Sequence, residues 1–173
     1  MTSLFERLLG SAFDTLDPSV RTLHRARGTR RYAGEVEVER GVHPLATLCA
    51  RATHLPPAGR GPIEVAIVAE AAGERWSRRV GTRVMRSRLW QRDGLLHERL
   101  GAVTFAFRLQ ARDGAIEWTV ARVRALGLPL PSRWFAAVGA CEADRDGRYT
   151  FDVRASLPRV GLLVRYRGWL DVG

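Results

Sequence analysis

The chain has 173 residues, of which 46% are hydrophobic. It is long enough to bury a core of its own without disulfides or metals, and one domain is expected. No stretch approaches the ~20 consecutive apolar residues of a membrane-spanning helix. The opening Met1-Thr2-Ser3-Leu4-Phe5-Glu6-Arg7 has no charged-then-apolar leader pattern, so a cytoplasmic location is expected. The formal charge of +10 is carried entirely by Arg, with neither Lys nor Asn present, a pairing that points to the codon bias of a GC-rich genome. That charge favours anionic partners or surfaces. The arginines are scattered over solvent-facing strand positions, however, and a nucleic-acid face is not expected.

Ser3-x-x-Glu6 has capping-box spacing, and Phe5, Leu8, Leu9, Ala12 and Phe13 recur at helical spacing behind it. Asp17-Pro18 then reads as the N-cap and first position of a second short helix that carries Val20 and Leu23 and ends by Gly28. Residues 32–40 read as a strand, with Val36 and Val38 inward and Glu35, Glu37 and Glu39 outward. A helix is expected over 43–55, with Leu45, Leu48, Cys49, Ala52 and Leu55 on one face, stopped by Pro56-Pro57.

From Pro62 the apolar period is close to two. Asp93-Gly94, Asp113-Gly114 and Asp146-Gly147 lie between alternating runs, a strong hairpin signal because tight hairpin turns need positive φ. Gly127-Leu128-Pro129-Leu130-Pro131 reads as a rigid connector, since neither proline donates to a ladder. Residues 134–143, the segment after Asp146-Gly147 and residues 162–170 complete about nine or ten strands. The expected fold class is mainly β (α+β). It is a strongly curved antiparallel sheet or barrel with short N-terminal helices, the helix at 43–55 covering its concave face or one end. Gly81, Gly101 and Gly168 are candidate sites of curvature.

Four segments together resemble an uncharacterised bacterial domain of unknown function. They are Leu4-Phe5-Glu6-Arg7-Leu8-Leu9-Gly10, Gly73-Glu74-Arg75-Trp76, Gly127-Leu128-Pro129-Leu130-Pro131 and the closing run from Leu163 to Leu170. Members of that family occur alone or C-terminal to dinucleotide-binding domains similar to saccharopine dehydrogenases or short-chain dehydrogenases. The resemblance attaches no activity to the chain. It implies at most an accessory role beside a separate NAD(P)-dependent oxidoreductase, because this chain has no G-x-G-x-x-G after a strand.

Catalytic signals are absent from the sequence. His43 and His54 lie about three turns apart on one expected helix and cannot chelate together, so no metal and no cofactor is expected. Cys49 and Cys141 read as packed thiols. Glu74, Glu98, Glu117, Glu142 and Asp152 lie on or beside strands. Parity places Glu117 and Asp152 outside, pairing with Arg, and leaves Glu74 and Glu98 unplaced. The five tryptophans are the feature most suggestive of binding. Trp76, Arg78, Trp118 and Trp134 are candidate cavity residues, with Arg165, Tyr166, Arg167 and Trp169 from the last strand. If Arg165, Arg167 and Trp169 face inward they form an anion-recognising rim. If outward, which parity favours, they are solvated and Trp169 is covered by an Arg stem or a terminal helix. The expected function is a non-catalytic binding module for a small hydrophobic or amphipathic ligand. The alternatives are the oxidoreductase accessory and a binder of anionic surfaces.

Overall fold

The computed structural model describes residues 2–25, 27–44, 46–48 and 56–173. Helix α1 (Leu4–Leu9) starts from the expected capping box: the Glu6 amide donates to the Ser3 hydroxyl at 3.1 Å and the Ser3 amide to the Glu6 carboxylate at 2.6 Å. A 3-10 turn (Gly10–Thr15) leads to α2 (Pro18–Arg25), whose first turn is closed by the Arg21 amide donating to the Asp17 carbonyl at 3.0 Å.

Eleven strands follow among the described residues: β1 (Gly28–Arg40), β2 (Gly59–Glu70), β3 (Gly73–Val80), β4 (Arg83–Arg92), β5 (Leu95–Leu100), β6 (Val103–Arg112), β7 (Ala115–Ala125), β8 (Leu128–Leu130), β9 (Ala137–Arg145), β10 (Arg148–Leu157) and β11 (Gly161–Asp171). Consecutive strands pair antiparallel from β1 to β7 and again from β9 to β11. Two further ladders close the ring. β7 meets β9 over Ile116↔Glu142 to Thr119↔Gly139, and β11 meets β1 over Ala33↔Asp171 to Arg40↔Val164. The result is a closed ten-stranded up-and-down barrel, which leaves no long unpaired edge.

All three Asp-Gly turns have positive φ at both residues (52° and 71° at 93–94, 49° and 80° at 113–114, 54° and 78° at 146–147), as type I′ hairpins require. Two of them also seat the helices. The Asp17 amide donates to the Gly114 carbonyl at 2.9 Å, and the Ser19 amide donates to Asp144, which accepts from the Gly147 amide at 2.8 Å. Phe5, Phe13, Leu16, Val20 and Leu23 are buried beneath that seat, on the barrel end formed by the β2–β3, β4–β5, β6–β7 and β9–β10 turns. Each such burial is worth about 1.5–3 kcal/mol, against roughly 0–1 for an exposed ion pair, so apolar packing holds the helical stopper in place.

The other end differs from expectation in several places. The Gly127 segment forms the short strand β8 on the far half of β7 (Val123↔Leu130, Ala125↔Leu128); it is confined to that outlying position because Pro129 has no ladder donor. Ser132–Phe135 is a 3-10 turn, so strand β9 begins at Ala137, later than expected. Of the helix expected over 43–55, Pro44 and 46–48 are helical and Ala46 is buried, whereas Leu45 and 49–55 lie outside the described residues. Gly81 and Gly101 sit in turns. The register instead shifts between Ala106 and Phe107 and between Ala155 and Ser156, leaving Ala121 and Leu163 as the extra residues of two bulges.

Candidate functional site

Strand alternation sorts side chains to the inside and outside of the barrel, and the inside is not uniformly apolar. A cavity of about 370 Å³ runs along it. Near the mouth its wall is Leu100, Val103, Leu130, Phe135, Leu157 and Leu163, all apolar. The bulge at Leu163 puts consecutive Leu163 and Val164 on the inner face, which simple alternation forbids. Toward the helix-capped end the wall turns polar, with Arg78, Glu98, Tyr166, Glu142 and Tyr149 among its aromatics.

These groups are wired to one another. The Arg78 guanidinium donates to the Ser87 hydroxyl at 2.9 Å and to the Glu98 carboxylate at 3.3 Å, and stacks 4.7 Å over the Trp76 ring. Burial opposes its charge, but Glu98, together with the Tyr166 and Tyr149 phenols, outweighs this and its pKa is raised. The Trp76 indole N–H donates to Glu74 at 2.7 Å, and burial raises the pKa of that carboxyl. Glu142 bonds His24 of α2, and its charge helps the buried Tyr149 hydroxyl keep its proton. The His24 ring lies 3.7 Å from that of Phe5 and 6.0 Å from that of Trp76. Burial pushes the Tyr149 hydroxyl well above its ordinary range and the Tyr166 hydroxyl up to about 12, so both are neutral donors. The indole N–H of Trp118 and Nδ1 of His24 have no partner among the described residues.

Of the residues singled out from the sequence, Trp76, Arg78, Trp118, Trp134 and Tyr166 line this cavity; Trp134 stands at the mouth, 45% exposed. Arg165, Arg167 and Trp169 lie on the outer face and do not. Arg165 is bidentate to Asp152 at 2.6 and 2.9 Å, Arg167 bonds Glu37 at 3.1 Å, and Arg148 covers the Trp169 ring at 4.7 Å. Cys141, read as a packed thiol, is exposed on the outer side of β9, where partial burial and then Glu117 push its pKa up. Cys49 and His54 lie outside the described residues. The interior roles of His24, Glu142 and Tyr149 escaped the sequence reading. Glu98 and Glu142 did carry a signal, since each falls on the apolar parity of its strand: Leu96 and Leu100 on β5, Val138 and Ala140 on β9.

Fold and interior together define a closed antiparallel barrel stoppered by helices at one end, with an amphipathic cavity inside. The chain belongs to the domain of unknown function DUF4166, whose family model matches residues 16–170. No curated protein matches it. No helix among the described residues is long and apolar enough to cross a membrane.

Proposed function

We propose that the protein is a non-catalytic carrier or sensor that encloses a small hydrophobic or amphipathic molecule in its barrel. The observation that carries this reading is the 370 Å³ interior cavity, walled mainly by aliphatic and aromatic side chains with a few converging polar groups. That volume lies within the roughly 300–1,000 Å³ usual for small-molecule sites, and a barrel of this kind has room for a ligand where a smaller one is filled by its own side chains.

The test is native mass spectrometry of the purified protein, with organic extraction, alongside titration with the neutral apolar fluorophore N-phenyl-1-naphthylamine. A discrete adduct, or saturable fluorescence at one site, is expected. A mass equal to the bare chain together with no saturable fluorescence sinks the reading.

A second reading, attraction to an anionic surface, is favoured by one patch. Exposed Arg27, Arg30 and Arg31 border a shallow depression beside α2 and have no ion-pair partner among the described residues. Binding to anionic vesicles that weakens steeply with salt supports it; salt-insensitive or absent binding removes it.

A further inference from the structure

We infer that the cavity selects a neutral molecule with a hydrogen-bonding head, inserted head first toward the helix-capped end, and discriminates against the matched carboxylate; this rests on the carrier reading above.

The direction of insertion follows from strand register. Trp76, Trp118, Glu142 and Tyr149 lie in the capped halves of their strands, and Arg78 reaches Ser87 and Glu98 near the middle; the mouth is lined by leucine, valine, phenylalanine and Trp134, with Arg154 at its edge. A tail pushed inward has to desolvate Arg78 and Glu98 without replacing any of their hydrogen bonds. A head pushed inward meets donors and acceptors while its tail stays among the leucines.

The charge preference follows from the inventory of the inner wall. Its cation, Arg78, is already held by Glu98, with both side chains nearly buried (11% and 8% exposed). Glu142 adds a second carboxylate, bonded by His24 and electrostatically coupled to the Tyr149 phenol. An incoming carboxylate that reaches this depth therefore faces two carboxylates, and the one cation there already has a carboxylate partner, at a site where like charges are poorly screened. A neutral oxygen meets the phenol of Tyr166 and lies along the wall that contains Trp118, 6% exposed and with its indole N–H unpartnered. Arg154 also borders the cavity, but it is exposed and its guanidinium donates to Ser156 at 3.3 Å.

The experiment displaces bound N-phenyl-1-naphthylamine at neutral pH with decanol, decanoate or decylamine. Decanol is expected to displace the fluorophore at a concentration at least tenfold below that needed for decanoate or decylamine. In Glu98→Gln, which frees Arg78, the decanoate affinity is expected to rise at least tenfold with little change for decanol. Arg154→Gln is expected to leave the decanoate value unchanged. Decanoate binding as well as decanol to the wild type, or decanoate binding abolished by Arg154→Gln, overturns the inference and leaves the carrier reading intact. Tighter binding of decylamine than decanol does the same. A fluorophore that never binds overturns both. The wild-type ranking decides the matter even where Glu98→Gln fails to fold.

Discussion

His24, at the end of α2, reaches into the barrel and bonds Glu142 of β9, a residue 118 positions away in sequence. The stopper is thereby tied to the wall it closes, and the tie is buried: His24 has no exposed side-chain surface and Glu142 only 6%. Breaking one side of a buried pair leaves the other group desolvated and unpartnered, which typically costs 3–5 kcal/mol. His24→Ala and Glu142→Gln are each expected to destabilise the fold by about 3–5 kcal/mol in urea unfolding. The double variant should fall short of the sum by about 0.5–3 kcal/mol, as residues in one network do. Strict additivity would show that the two groups act separately.

Glu74 supplies a pH dependence of opposite sign to most carboxylates. Burial raises its folded pKa above the value of the unfolded chain, so the native state holds this proton more tightly. Stability is then lost as pH rises through the window that opens near the ordinary Glu value of about 4.3. Asp152, whose pKa is lowered by its hydrogen bond from Arg165, works the other way, its contribution fading as pH falls below the ordinary Asp value. Glu74→Gln keeps an acceptor for the Trp76 indole and removes the titration. Its melting temperature should match or trail the wild type near roughly pH 4 and exceed it at neutral pH. A difference that does not change with pH would place the effect elsewhere.

Filling the cavity separates binding from folding. Ala140 lines it from β9 and is only partly buried, so there is open space before its Cβ. Ala140→Leu is expected to raise stability by about 0.5–2 kcal/mol, as cavity-filling changes do. It should also weaken N-phenyl-1-naphthylamine binding at least tenfold. Unchanged fluorophore binding would place the probe outside the barrel.

The hairpins were legible because their signal is local: Asp-Gly sets the turn, and the turn sets the register of both strands beside it. The inner and outer faces were legible for the same reason as far as alternation runs unbroken. That is why Arg165 and Arg167 were expected outside and Glu117 and Asp152 with them. Two things defeated it. The bulges at Ala121 and Leu163 shift parity mid-strand, and no residue type announces them. The interior polar network is defined by partners distant in sequence: Arg78 and Glu98 meet across β4, and Glu142 is completed by a histidine from a helix at the opposite end of the chain. A Glu on the apolar parity of a strand reads as an exception until its buried partner is known.

Gly168 marks a place where two backbones approach closely. A Cβ there would run into the Glu35 carbonyl of the neighbouring strand and lie 2.9 Å from Cζ of Phe151, whose ring covers the gap from β10. The backbone oxygen cannot yield as a flexible side chain would, so Gly168→Ala is expected to cost at least 1–3 kcal/mol, the usual range for overpacking. Because the site is on β11, which closes the barrel against β1, amide exchange should quicken on both of those strands ahead of β4 and β5. Uniform acceleration across the barrel would mean that the closure opens only with global unfolding.

Alkaline titration reads the barrel interior through Tyr149 and Tyr166, which line the cavity, whereas the partly buried Tyr32 borders the outer depression beside α2. All three tyrosines, Tyr32, Tyr149 and Tyr166, have raised pKa values, and burial is the leading cause for each. In the unfolded chain these phenols ionise near pH 10, whereas the native Tyr166 holds its proton to about 12. The native state therefore binds more protons than the unfolded state in that window, and stability falls as pH rises through it. Beyond the one phenolate that the partly exposed Tyr32 can supply, absorbance is expected to stay low until the circular-dichroism signal of the sheet is lost, and then to rise in one step with it. Tyr166→Phe removes one titrating group and should move the unfolding midpoint to higher pH. Absorbance of more than one phenolate near pH 10 with the sheet intact would show that water reaches Tyr149 or Tyr166 inside the barrel.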